Sequence, residues 1–167
     1  MLSEPLSSSF LVEKAAISLV ELKWAFDNGI IGAQVTVDLA ASSLAAGSDD
    51  EITVELAGLT HSELPSAKEI LGRVPVDSGN ESEIHRKWVW LILSWIYQYH
   101  RDDPDVFEIL SELYADLGYP EEMFVFGPYA PARQVKGRTD DLRNEIFREW
   151  RRYLEQGEMA FGKSTSA

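Results

Sequence analysis

Hydrophobic positions along this chain fall at helical intervals, and nowhere does a useful length of apolar and polar residues alternate as in a strand. The strongest pattern runs from Glu81 to His100, where Ile84, Trp88, Leu91, Trp95 and Tyr99 recur at three- and four-residue steps. Trp90, Leu93 and Ile96 add apolar side chains around the rest, which marks a helix buried on most sides. Trp, Val, Ile and Tyr also favour sheets, but the segment is too long for an ordinary strand and no turn interrupts it.

Punctuation residues divide the remainder into further helices. Ser18-Leu-Val-Glu21 has the form of a capping box and opens a helix that Gly29 stops. The Ala-rich stretch 32–46 predicts a second, with Val35, Leu39, Leu44 and Ala45 as its buried face and Gly47 at its end. Asp49 or Asp50 caps a short helix through Ile52, Leu56 and Leu59; Pro65 begins another that ends at Gly72. Residues 74–80 read as a loop. Asp103 caps and Pro104 starts a helix to Gly118, and Pro120 opens a short turn through Met123 and Phe126. Residues 127–138 read as a long loop. Thr139 then caps a last helix whose inner stripe is Leu142, Ile146, Phe147, Trp150 and Leu154. The expectation is one all-α domain of about six to eight helices over 17–156, with an N-terminal segment at 1–16 and a flexible tail at 157–167.

The 167-residue length suffices for one real core, and 45% apolar residues is the share of a globular chain. Cysteine is absent, which fits a reducing compartment. The N-terminus lacks a signal-peptide pattern, and the most apolar run, 88–97, is far shorter than a membrane span. A cytoplasmic protein is therefore expected. A net charge of −13 and a pI near 4.6 argue against nucleic-acid and membrane partners and permit fast capture of a basic protein.

That charge is unevenly spread. Residues 101–122 (RDDPDVFEILSELYADLGYPEE) hold eight acidic side chains against one basic, a local charge of −7. On a helical wheel Glu108, Glu112 and Asp116 fall within roughly 60° of Asp105, while Val106, Leu110, Leu113 and Leu117 cluster about 110° away. No Lys or Arg stands three or four residues off to neutralise these acids. The bland reading is a solvated helix face. The functional reading is a docking surface for a basic protein, built from Asp102, Asp103, Asp105, Glu108, Glu112, Asp116, Tyr119, Glu121 and Glu122. Phe107, Tyr114, Phe124, Phe126 and Tyr129 are further candidate anchors that also read as packing. The segment 133–152 carries seven basic and four acidic residues and is a candidate to pair with the acidic face, within the molecule or in a dimer.

Catalytic readings are weaker. Asp105-x-x-Glu108 half-matches the paired carboxylates with which all-α nucleoside triphosphate pyrophosphohydrolases hold Mg²⁺. A second pair at that spacing is missing, since Glu51 and Glu55 are four apart and Glu81 and Glu83 two apart. His61, His85 and His100 stand singly, without zinc-ligand spacing, and neither a phosphate loop nor a nucleophile elbow is present. No cofactor or metal is expected.

The segments VELKWAFDNGIIG (20–32), KWVWLILSWIYQYH (87–100), DDPDVFEILSELYADLGYPEEM (102–123) and LRNEIFREWRRYLE (142–155) together resemble a bacterial family, the domain-of-unknown-function family numbered 2247. The resemblance implies a small soluble bacterial protein without known enzymatic activity. Some proteins of this kind act as immunity partners for secreted toxins, nuclease toxins among them, and no functional residues carry over. The expected function is thus non-enzymatic: an immunity protein, or antitoxin, that neutralises a basic toxin domain by direct binding. A Mg-dependent nucleotide hydrolase and a structural or regulatory helical module are the alternatives.

Overall fold

The computed structural model describes residues 6–76, 80–126 and 139–163. Among them the chain is all-α, without strands. The helices are α1 (Ser8–Lys14), α2 (Leu19–Asp27), α3 (Ala33–Ala45), α4 (Glu51–Ala57), α5 (Ala67–Leu71), α6 (Glu81–His100), α7 (Val106–Asp116) and α8 (Thr139–Phe161), with 3₁₀ helices at His61–Ser66 and Glu121–Phe126. Among the described residues no helix is long and apolar enough to cross a membrane.

The chain divides into two compact units. Of the described residues, the first holds 6–76, 80–88 and 162–163, and the second 89–126 and 139–161. In the first unit α3 is the element the others pack on: α1, α2, α4, α5 and the first 3₁₀ helix all contact it. Its helix ends are closed by local bonds. The Ser18 hydroxyl accepts from Glu21 N–H (3.2 Å) and Glu21 Oε2 accepts from Ser18 N–H (2.9 Å), completing the expected capping box. The same carboxylate meets Lys87 Nζ at 2.9 Å, and Lys87 also donates to the carbonyl of Ala16. Asp50 Oδ1 accepts from the N–H groups of Ile52 and Thr53. At their other ends α2 and α3 close in Schellman geometry: Gly29 N–H bonds Phe26 O and Ile30 N–H bonds Ala25 O, and Gly47 and Ser48 repeat the pattern. Gly29 and Gly47 sit at φ 71° and 104°, backbone that an L side chain resists.

Three expectations need correction here. In the N-terminal segment expected at 1–16, the described residues 6–16 are part of the fold: Ser7 caps α1, and Leu6, Phe10, Leu11 and Ala15 are buried. The buried face of α3 is Thr36, Val37, Leu39 and Ala40, with Leu44 and Ala45 exposed. Thr36 can turn inward because its hydroxyl donates to Gly32 O at 2.9 Å. Pro65 does not open a helix but lies inside the 3₁₀ helix His61–Ser66, for which Thr60 is the N-cap. There Glu63 Oε2 accepts from both the N–H and the hydroxyl of Thr60, and these bonds hold the Glu63 carboxyl below its ordinary range.

The second unit is built on rings. Residues 89–96 are buried one after another, so α6 is enclosed on all sides there; toward its end Gln98 and Tyr99 reach solvent. Trp150 of α8 is fully buried, with Phe147 stacked on it at 5.7 Å and Tyr97 and Phe126 edge-on at 5.1 and 5.3 Å. Trp90 Nε1 donates to Leu154 O (3.1 Å), and a Cβ on the buried Gly157 would lie 2.0 Å from the indole of Trp90. Gly157, expected to begin a frayed tail, is therefore held inside α8. Residues 77–79 of the loop expected at 74–80, the loop expected at 127–138, the tail beyond 163 and the side chain of Thr139 lie outside the described residues.

Candidate functional site

The acidic segment leaves α6 through a tight turn. Asp103 does not cap α7: its carboxylate meets His100 Nδ1 at 2.9 Å, and its N–H bonds His100 O. Pro104 is likewise outside the helix, and Asp105 takes the N-cap position without a side-chain capping bond. The reason is competition, since the imidazole at the end of α6 claims the carboxylate that would otherwise reach forward.

From Val106 the helix is amphipathic as its spacing dictates. Val106, Leu110 and Leu113 are buried, while Glu108, Glu112 and Asp116 are exposed. Among the described residues, no cation meets the carboxylates of Glu108 and Glu112. Asp102 lies 3.9 Å from the guanidinium of its neighbour Arg101, a pair largely in solvent.

At its C-terminus α7 closes in a third Schellman motif, with Gly118 N–H on Ala115 O and Tyr119 N–H on Tyr114 O. Here two successive residues are left-handed, Gly118 at φ 77° and Tyr119 at φ 61°. A tyrosine held at positive φ is uncommon. The turn sets its ring edge-on to Tyr114 at 5.1 Å and leaves it 65% exposed. The 3₁₀ helix Glu121–Phe126 then packs on α7, with Ser111 Oγ donating to Phe126 O. Met123 and Phe126 point inward; Phe124 stays 47% exposed beside the exposed Glu121 and the half-buried Glu122.

The structure thus sorts the expected surface. Asp102, Asp105, Glu108, Glu112, Asp116, Tyr119 and Glu121 face solvent; Asp103 is tied to His100. Of the further aromatic anchors, Phe126 is core and Phe107 is half-buried on Phe147 at 5.6 Å, under the guanidinium of Arg143. Tyr129 is outside the described residues. The basic residues of α8 are used largely in place: Arg143 covers Phe107 and Phe147, Arg151 donates to Tyr97 Oη and Arg152 pairs with Glu149. That bond to Tyr97 pushes the Arg151 guanidinium above its ordinary pKa.

The hydrolase alternative asks for Asp105 and Glu108 on one helix with a second carboxylate pair facing them. Asp105 precedes the helix that carries Glu108, and among the described residues no group of three or more His, Asp or Glu side chains converges. This face carries accumulated negative charge, with the exposed Tyr119 and Phe124 following it in the chain.

Comparison with curated proteins and with solved structures found no match. A family model matches residues 8–158, nearly the whole helical chain, and the protein accordingly belongs to the bacterial family described as "Uncharacterized protein conserved in bacteria (DUF2247)".

Proposed function

We propose that this protein is a cytoplasmic binding module of the immunity type, which neutralises a basic toxin domain by covering it with the acidic face of α7. The observation that supports this most is the exposed line of Glu108 and Glu112 without a described cation. Like charges four residues apart on a helix cost a few tenths of a kcal/mol. A purely structural helix gains nothing from them. A surface that must attract a basic partner gains through faster encounter, because long-range attraction raises the association rate more than it slows dissociation. Toxin domains that act on nucleic acid carry basic surfaces to bind phosphates. An acidic face with aromatic residues at its edge can occupy such a surface, the charges steering and the rings anchoring.

The test uses the protein and its Glu108→Lys/Glu112→Lys variant to capture partners from a lysate of the native bacterium, washed at low and high salt. A single basic protein held by the parent chain, loosened by salt and associating at least about tenfold more slowly with the variant, is the expected result. The parent chain should also suppress that protein's own activity. Equal association with both chains would remove α7 from the interface, and a partner whose activity is untouched would end the immunity reading.

A further inference from the structure

A second surface, in the first unit, carries chemistry that the acidic face does not. Val20, Trp24 and Asp27 lie three to four residues apart and so share one side of α2, opposite the Leu22 and Ala25 that turn into the core. Beside them stand Glu81 and Ile84 of the first turn of α6 and the Pro75-Val76 segment that follows α5. Together they enclose an open cleft of about 200 Å³.

Its walls and its mouth differ in kind. The walls are apolar, made by Trp24, Ile84 and Pro75. The indole Nε1 of Trp24 is buried, so the cleft is offered ring carbons rather than a hydrogen-bond donor. The mouth is rich in acceptors. Lys23 is the one cation of the lining, and its Nζ is held 2.6 Å from Asp27 on its own helix. Asn28 commits one of its two amide N–H groups to Trp24 O, and its side-chain oxygen is an acceptor. Glu81 is exposed, and among the described residues no cation meets it. With Lys23 neutralised by Asp27, the mouth carries the charge of Glu81.

An anion entering here would find its only cation taken and a carboxylate opposite. An aliphatic side chain would fill the walls and leave the mouth unused. A long apolar stem ending in a multi-donor cation satisfies both parts: methylenes along Trp24, Ile84 and Pro75, and a planar head that stacks on indole and donates to carboxylate and amide oxygens. Val76, 78% exposed at the lip, extends the apolar surface beyond the reach of one side chain. That favours a side chain presented by a protein over a free small molecule.

We propose that the α2 cleft receives an arginine side chain presented by a protein partner. This does not rest on the acidic face of α7, and either can fail alone. The probes are capped tripeptides with arginine, citrulline or norleucine at the centre, titrated into the ¹⁵N-labelled full chain. The indole resonance of Trp24, assigned through Trp24→Phe, is the readout. The arginine peptide should shift it saturably at about millimolar affinity, the range one small side chain can reach. Citrulline, which keeps the shape and loses the charge, should bind at least about fivefold more weakly, and Glu81→Gln should weaken the arginine peptide by a similar factor. The rest of the spectrum reports that the variant is folded. Equal binding of norleucine, undiminished binding to Glu81→Gln, or no saturable shift at tens of millimolar peptide would each overturn the proposal.

Discussion

The two units solve the same problem with different means. The first closes its helix ends: Ser18, Asp50 and Thr60 at the starts, Gly29 and Gly47 at the stops. Its core is mostly of moderate-sized residues, such as Leu11, Leu22, Leu56 and Leu71, with Phe10 and Trp88 as its large rings. The second fills its middle, with Tyr97, Phe107, Phe126, Phe147 and Trp150 in ring contact across α6, α7, the second 3₁₀ helix and α8, and Trp90 bonded to Leu154 O. Caps act within four residues of chain and are worth about 1 kcal/mol each. Buried rings join segments some fifty residues apart and are worth several times more. The first unit should therefore lose stability in small, separable steps, and the second in large, coupled ones.

The sharpest way to break this contrast is Trp150→Ala. Removing a fully buried indole from among three rings should cost about 3–5 kcal/mol by urea unfolding. A loss no larger than that of a cap would erase the distinction. Gly157→Ala comes next and tests the sign. In an exposed helix this exchange stabilises by about 1 kcal/mol, but the new methyl would meet the Trp90 indole at 2.0 Å, so a net loss of roughly 1–3 kcal/mol is expected. Pairing it with Trp90→Leu should recover part of that loss. Asp50→Ala leaves the N–H groups of Ile52 and Thr53 without their acceptor and should lower stability by about 1 kcal/mol.

The smallest effect is a pH dependence at Glu63. Its carboxyl lies below its ordinary pKa because the folded chain hydrogen-bonds the charged form, Thr60 N–H foremost. Its contribution is therefore present above the ordinary carboxylate pKa and is lost as pH falls through the lowered, folded value. Melting temperatures of the parent and Glu63→Gln should converge on acidification; a constant gap would show that the charge of Glu63 is not what the box uses.

The same contrast explains what the sequence disclosed. Boundaries written in local chemistry were legible: the Ser18–Glu21 box, the stops at Gly29, Gly47 and Gly118, and α6 from Glu81 to His100. Where a second local bond competed with the expected one, reading failed. Asp103 looked like a cap until His100 claimed it, and Pro65 looked like a start until Thr60 and Glu63 closed a turn upstream. Helix α1 hides in a serine run too short to show a period, and its worth lies in burying Phe10 and Leu11. The acidic line of α7 was legible because charge repeats at helical spacing. Tyr119 was placed on that surface by its position in the acidic run; the left-handed backbone that turns it outward was not legible, since non-glycine residues seldom adopt it. The α2 cleft was not legible either, because Trp24, Pro75 and Glu81 meet only in the fold.

Gly157 has one more consequence. Since its missing side chain is the gap into which the Trp90 indole fits, α8 can lie against α6 in one register only. A slip of one residue, about 1.5 Å along the axis, would bring Gln156 or Glu158 to that spot. The glycine works as a detent: it fixes not how tightly the two helices hold but where along their length they stop.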